Sequence, residues 1–269
     1  MYIDCKNIYE SIKTEITKEV AAMETKPLLT IVQFGHHSDS DAYVKGIIKD
    51  CADVGAKTCI IKLSENISQS ELAVLLSGIE TISTGIILQL PVPNQISIYE
   101  IAKTIPFNKD IDGFKENTVY IPATAKGIIM LLDSLKIDYT GKNVVIIGRS
   151  KHIGRAVAKE LLARNCTTSI CHSYTKDVAE YTRKADIIIT AVGEPNYITP
   201  NMITQGALII DVGINFSNGK VCGDVEQSCA EIARVTPVPN GMGLMTRVAL
   251  LNNLINAKKI IDGELKDED

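Results

Sequence analysis

The stretch Val144-Val145-Ile146-Ile147-Gly148-Arg149-Ser150-Lys151-His152-Ile153-Gly154 decides the fold. Its four leading β-branched residues read as a strand buried on both faces. They run straight into Gly148, and Ile153-Gly154 opens a helix through Ala156, Val157, Ala158 and Leu161. A strand, a glycine turn and a helix N-terminus together make an anion site. The turn lets backbone approach a pyrophosphate, and free amide hydrogens plus the helix dipole favour negative charge. The spacing is Gly-x5-Gly, not G-x-G-x-x-G, so the segment alone reads equally well as an ordinary strand–helix turn. Context favours a dinucleotide, because a second strand, Thr168-Ser169-Ile170-Cys171, follows about 20 residues on.

The end of that second strand bears on the cofactor. An NAD site usually carries Asp or Glu there for the ribose 2′-hydroxyl. Here the chain continues Cys171-His172-Ser173-Tyr174-Thr175, with no carboxylate. Arg149, Ser150 and Ser173 instead suit a 2′-phosphate, a planar cation and hydroxyl donors around a dianion. The expected cofactor is NADP rather than NAD.

Strand-like and helix-like segments alternate on both sides of this unit. Residues 4–24 place Ile8, Ile12, Ile16 and Val20 on one helix face, and residues 28–34 read as a buried strand. Ser40 is a candidate cap for a helix through Tyr43 and Ile47 that Gly55 stops. Residues 58–61 and 85–89 read as strands around a helix over 68–79; 187–190 and 208–211 are later strands, and 248–261 a last helix. This is the βαβ grammar of parallel sheets covered by helices, an α/β fold. Leu90-Pro91-Val92-Pro93 and the polar run over 108–117 interrupt it, which puts a domain boundary between 118 and 119.

A chain of 269 residues with 45% hydrophobic residues fits two domains of ordinary size. A net charge of −4 argues against a general affinity for nucleic acid or acidic membranes. No apolar run approaches the ~20 residues of a membrane span, and the first residues lack a secretory pattern. Seven cysteines without a CxxC pair suggest neither a disulfide framework nor a metal site, so a cytoplasmic protein is expected.

Several segments, taken in order, resemble the bifunctional methylenetetrahydrofolate dehydrogenase/cyclohydrolase (FolD) family. They are Ser40-Asp41-Ala42-Tyr43-Val44, Gln89-Leu90-Pro91-Val92-Pro93, Lys109-Asp110-Ile111-Asp112-Gly113-Phe114 and Gly148-Arg149-Ser150. They continue with Cys171-His172-Ser173-Tyr174-Thr175, Asp211-Val212-Gly213-Ile214-Asn215, Gly223-Asp224-Val225, Thr236-Pro237-Val238-Pro239 and Met245-Thr246. The resemblance implies a folate domain over 1–118 plus 246–269, its last helix returning to pack on it, and a Rossmann-type NADP domain over 119–245. It implies a homodimer and oxidation of a one-carbon unit on tetrahydrofolate. By the same carry-over Tyr43 stacks on the folate, Gln89 hydrogen-bonds near the one-carbon unit, and Asp112 anchors the pterin, with Leu90, Pro91, Pro239 and Gly241 also against the substrate. Cofactor contacts carry over to Gly148, Arg149, Ser150, Ile153, Gly154, His172, Ser173, Thr175, Ile214 and Thr246.

One departure bears on chemistry. The family carries a lysine four residues after the tyrosine, one helical turn on, and here that residue is Ile47. Lys45 points to another face, and Lys49 matches the family's second basic position. Isoleucine moves no proton, so hydride transfer is expected to survive while hydrolysis of the methenyl product is weak or lost. Recruitment of Lys45 or Lys49 would keep both activities; a folate- or nucleotide-binding relative without turnover is the third reading. Milder departures are Ala123 and Ala125 in Pro122-Ala123-Thr124-Ala125-Lys126-Gly127, Ala156, and Asn240 and Leu244 in the segment over 237–246. Asn240 can take the left-handed backbone that glycine takes.

Overall fold

The alternation of strand and helix folds into two separate parallel sheets, each in its own unit. A computed structural model describes residues 1–35, 38–116, 118–217 and 219–265. Ser11–Ala123 and Arg247–Asp269 make one unit; Met1–Glu10 and Thr124–Thr246 make the other.

In the first unit the sheet holds β1 (Leu28–Phe34), β2 (Lys57–Leu63) and β3 (Gly85–Leu88) in the order β2-β1-β3, all parallel. Strand β1 lies between the other two, and β3 is buried along its whole length; β2, at an edge, alternates between more and less exposed residues. Its helices are α1 (Cys5–Ala22), which belongs to this unit from Ser11 onward, α2 (Ser38–Val54), α3 (Gln69–Ile79) and the short α4 (Ile98–Ala102). Phe34, Leu72, Leu76, Ile86 and Ile101 meet in one core cluster, where each buried side chain contributes about 1.5–3 kcal/mol. Helix α3 starts on a capping box: the Ser68 hydroxyl accepts from Glu71 N at 3.2 Å, and the Glu71 carboxylate accepts from Ser68 N at 2.8 Å. Helix α2 begins at Ser38, so Ser40 lies inside it, buried, and is not the expected cap. Sequence spacing fixes a helix's face more firmly than its first residue, and winding here begins two residues before Ser40.

The second unit carries β4 (Asn143–Ile147), β5 (Thr167–Cys171), β6 (Ile187–Thr190), β7 (Leu208–Asp211) and β10 (Arg234–Val235) in the parallel order β10-β7-β6-β4-β5. Two further strands, β8 (Asn215–Ser217) and β9 (Lys220–Cys222), form an antiparallel hairpin. Helices α5 (Ala123–Ser134), α6 (Ala156–Ala163), α7 (Ala179–Thr182) and α8 (Cys229–Ile232) connect them. Met1–Glu10 group with this second unit. The cause is local pairing: Tyr2 bridges Val235, and Ile3 N donates to Val235 O at 2.9 Å, so the amino-terminal segment extends the β10 edge.

Helix α9 (Met242–Ile261) starts six residues before the expected 248. Asn240 turns the chain with φ +70°, the left-handed conformation anticipated for it, and winding follows at once. From Arg247 onward α9 belongs to the first unit, as expected of the returning helix: Asn253 Nδ2 donates to Ile111 O at 2.8 Å and to Ile121 O at 3.1 Å. Among the described residues no helix is long and apolar enough to cross a membrane.

Candidate active site

In the second unit strand order reverses at β4, which has β5 on one side and β6 on the other. Ligands of such sheets bind beyond the carboxyl ends of strands at that reversal, and Gly148 is the first residue past β4. Its φ of +118° suits glycine, and a β-carbon there would lie 2.7 Å from Ala191 O. A β-carbon on Gly154 would overlap the Gly148 carbonyl oxygen, so the two glycines close the turn on each other. The helix does not start as a regular α-helix. Lys151–Arg155 form a π-helical turn, with Arg155 N donating to Ser150 O at 3.1 Å, and α6 follows. The turn leaves Arg149 and Ser150 exposed and Ile153 half-buried.

Because Ile147 pairs with Cys171 across β4 and β5, the residues just beyond them run side by side. The Arg149 guanidinium carbon sits 5.6 Å from the centroid of the exposed Tyr174 ring, a cation–π contact. Tyr174 itself is held by its backbone, whose N donates to His172 Nδ1 at 3.2 Å, and Thr175 Oγ1 accepts from His172 N at 3.0 Å. Ser173 is exposed beside them. Sequence reading assigned no role to Tyr174; a ring directly after Ser173 was the available signal.

Two buried aspartates organise the rest of this unit's carboxyl edge. Asp224 accepts from Val192 N at 2.8 Å, Gly193 N at 3.3 Å and Glu194 N at 3.0 Å, and from Asn215 Nδ2 at 2.9 Å. Asp211 accepts from Gly213 N, Asp224 N and Val225 N, each at 3.0 Å. Burial nonetheless pushes its carboxyl up to about 6. A cavity of about 110 Å³ borders Asp211 and takes in Ile214, Pro239 and Gly241. Ile214 is exposed, and Thr246 lies on α9 just before the chain passes to the other unit.

In the first unit strand order reverses at β1. Gln89 directly follows β3, Nε2 donating to Leu90 O at 2.9 Å, and Leu90 and Pro91 are exposed and joined by a cis peptide bond. Asp110 bridges Ile86 in parallel, which carries Asp112 along β3 towards the same carboxyl end. Burial, and then the neighbouring Asp110, push the Asp112 carboxyl up to about 7. Tyr43 is half-buried on α2; burial and the Asp112 charge raise its phenol, and Arg247 acts in the opposite sense. Ile47, one turn on from Tyr43, is fully buried on the stripe with Val44, Cys51 and Val54. Lys45 is exposed, and the Lys49 ammonium pairs with Asp53 at 2.7 Å.

Residues 3–112 match the catalytic domain of the tetrahydrofolate dehydrogenase/cyclohydrolase family, and residues 122–261 match its NAD(P)-binding domain. The chain belongs to the tetrahydrofolate dehydrogenase/cyclohydrolase family. Within that family it is similar to the bifunctional protein FolD of Hydrogenobaculum sp. (strain Y04AAS1), 39% identical, with 96% of this chain and 98% of the relative covered. The crystal structure of the bifunctional FolD methylenetetrahydrofolate dehydrogenase/cyclohydrolase from Campylobacter jejuni superposes with a TM-score of 0.93 at 35% identity, covering 98% and 99% of the two chains. The family enzyme of Trypanosoma brucei, solved with NADP cofactor and inhibitor, gives a TM-score of 0.91 at 29% identity over 97% and 98%.

Proposed function

We propose that this chain oxidises 5,10-methylenetetrahydrofolate to 5,10-methenyltetrahydrofolate with NADP, and that it hydrolyses the methenyl product weakly or not at all. The glycine turn fits a dinucleotide, since a side chain at Gly148 or Gly154 would strike backbone, and the two glycines keep the turn between β4 and the helix start a compact run of backbone for a pyrophosphate to approach. NADP over NAD is supported by the β5 end, where Arg149, Ser150 and Ser173 stand exposed and no carboxylate awaits a 2′-hydroxyl. When bound, NADP accepts the hydride. The remaining cofactor contacts in this reading are Ile153, His172, Thr175, Ile214 and Thr246. On the folate side Tyr43 stacks, Gln89 and Leu90-Pro91 line the one-carbon end, Asp112 holds the pterin, and Pro239 and Gly241 complete the contacts.

Oxidation of the methylene group transfers a hydride and moves no proton, so this chain's residues need only bind and align. Hydrolysis differs. Water oxygen bonds to the amidinium carbon, one of that carbon's two bonds to nitrogen breaks, and a proton is released that some group must take. One observation carries the division between the two activities: the residue one helical turn from Tyr43 is Ile47, fully buried and unable to take a proton. The relatives' designation as bifunctional favours a second reading in which both activities persist through another base. A spectrophotometric assay that follows NADPH formation and methenyl decay separately, with NAD as comparison cofactor, tests both. The expected result is NADPH formation with methenyl accumulation. Methenyl decay keeping pace with NADPH formation supports the second reading, and binding of both ligands without NADPH formation refutes the dehydrogenase itself.

A further inference from the structure

The face of α2 that carries Tyr43 also carries an ion pair. Asp50 lies two turns on from Tyr43 and is almost wholly buried, at 1% exposure. Arg247, the first residue of α9 in this unit, reaches it with Nε at 2.7 Å from Oδ2 and Nη2 at 3.4 Å from Oδ1. Between Tyr43 and Asp50 stands Gly46. A β-carbon there would overlap the Arg247 guanidinium, so the glycine is what lets that group lie on the helix. The guanidinium thereby comes within electrostatic reach of the Tyr43 phenol, on which it and Asp112 act with opposite signs.

Stability gives little reason for such an arrangement. Two charges withdrawn from water are often no better than two well-packed apolar groups, although removing one alone strands the other. A reason lies in what arginine does not do: its guanidinium keeps its proton at any working pH, so it supplies charge and donors but no base. An amine introduced at position 47 would meet that like charge on the neighbouring residue. Asp50, three residues on, would also draw it away from Tyr43.

We propose that Gly46, Asp50 and Arg247 form a reaction-selecting set: the guanidinium that Asp50 holds across Gly46 takes the place beside Tyr43 that a proton-accepting amine would need, and so restricts the site to hydride transfer. This rests on the dehydrogenase reading above and extends it, because Ile47 is then a consequence of the surrounding pair and cannot be reversed alone.

The test compares Ile47→Lys, the double variant Asp50→Ala/Arg247→Leu, and the triple variant that combines all three, in the full chain. Both partners of the pair are replaced together so that no buried charge is stranded. An unchanged NADP titration reports that each variant is folded. Methenyl hydrolysis is followed from pH 6 to 9. Ile47→Lys is expected to change hydrolysis less than threefold. The triple variant is expected to raise it at least tenfold over the double variant, with an ionisation in the pH profile that the double variant lacks. A gain from Ile47→Lys equal to that of the triple variant overturns the proposal, as does a folded triple variant with no gain or with a gain and no new ionisation. The underlying reading is scored separately, on hydrolysis by the parent chain alone.

Discussion

Replacing Asp112 with asparagine isolates one half-buried carboxyl. The Asp112 carboxyl sits at about 7 in the folded chain, against an ordinary value of 3.8. A raised acid favours the folded state while protonated, so this contribution is fully present below about pH 4. It is lost as pH rises towards and through 7, because the unfolded chain releases its proton first. A shift of about 3 units at 1.36 kcal/mol each sets a ceiling of about 4 kcal/mol, and roughly 2–3 kcal/mol of it falls between pH 5 and pH 8. Asparagine keeps the shape and removes the titration. Urea unfolding of both proteins at pH 5 and pH 8 should therefore show Asp112→Asn gaining on the parent by roughly 2–3 kcal/mol over that interval. A difference between the two proteins that stays constant to within about 0.5 kcal/mol across it would falsify the account of Asp112 as a desolvated acid raised further by Asp110.

Gly154→Ala presses a methyl group into the Gly148 carbonyl oxygen, a backbone atom that cannot swing aside. Overpacking of that kind costs about 1–3 kcal/mol, so a lowered Tm and at least a tenfold weaker NADPH affinity by fluorescence titration are expected. Unchanged affinity would mean that the turn does not carry the cofactor. Arg149→Leu should lower kcat/KM for NADP by about 10- to 100-fold, the loss of one charge-assisted contact, and leave that for NAD nearly unaltered. An equal fall for both cofactors would separate Arg149 from the 2′-phosphate.

Much of this fold was legible because its strongest signals are periodic. Buried strands such as Ile187–Thr190 and Leu208–Asp211 are three-residue apolar runs closed by one polar residue, and α1 shows its face at four-residue spacing. Short elements escaped: the β8–β9 hairpin and β10 span two or three residues per strand, too few to show a period. The early start of α9 escaped because two glycines, Gly241 and Gly243, read as loop. At the site, glycine turns and strand ends could be read in place, since each is local in sequence. The Asp50–Arg247 pair could not, with partners 197 residues apart. Its only trace was one carboxylate and one guanidinium, each set in an otherwise apolar helix face. The Asp211 and Asp224 networks left a similar trace, acidic residues within two positions of a glycine.

Asp224 reads three successive amides, those of Val192, Gly193 and Glu194, and no side chain among them. Because these three contacts are all to backbone, the carboxylate is indifferent to which residues follow β6 but acts as a ruler for how many there are. The loop can therefore change its chemistry by substitution, while an inserted or deleted residue puts at least one amide out of register with a carboxylate that no water can reach. Variation among family members at this loop is expected to be in composition and not in length.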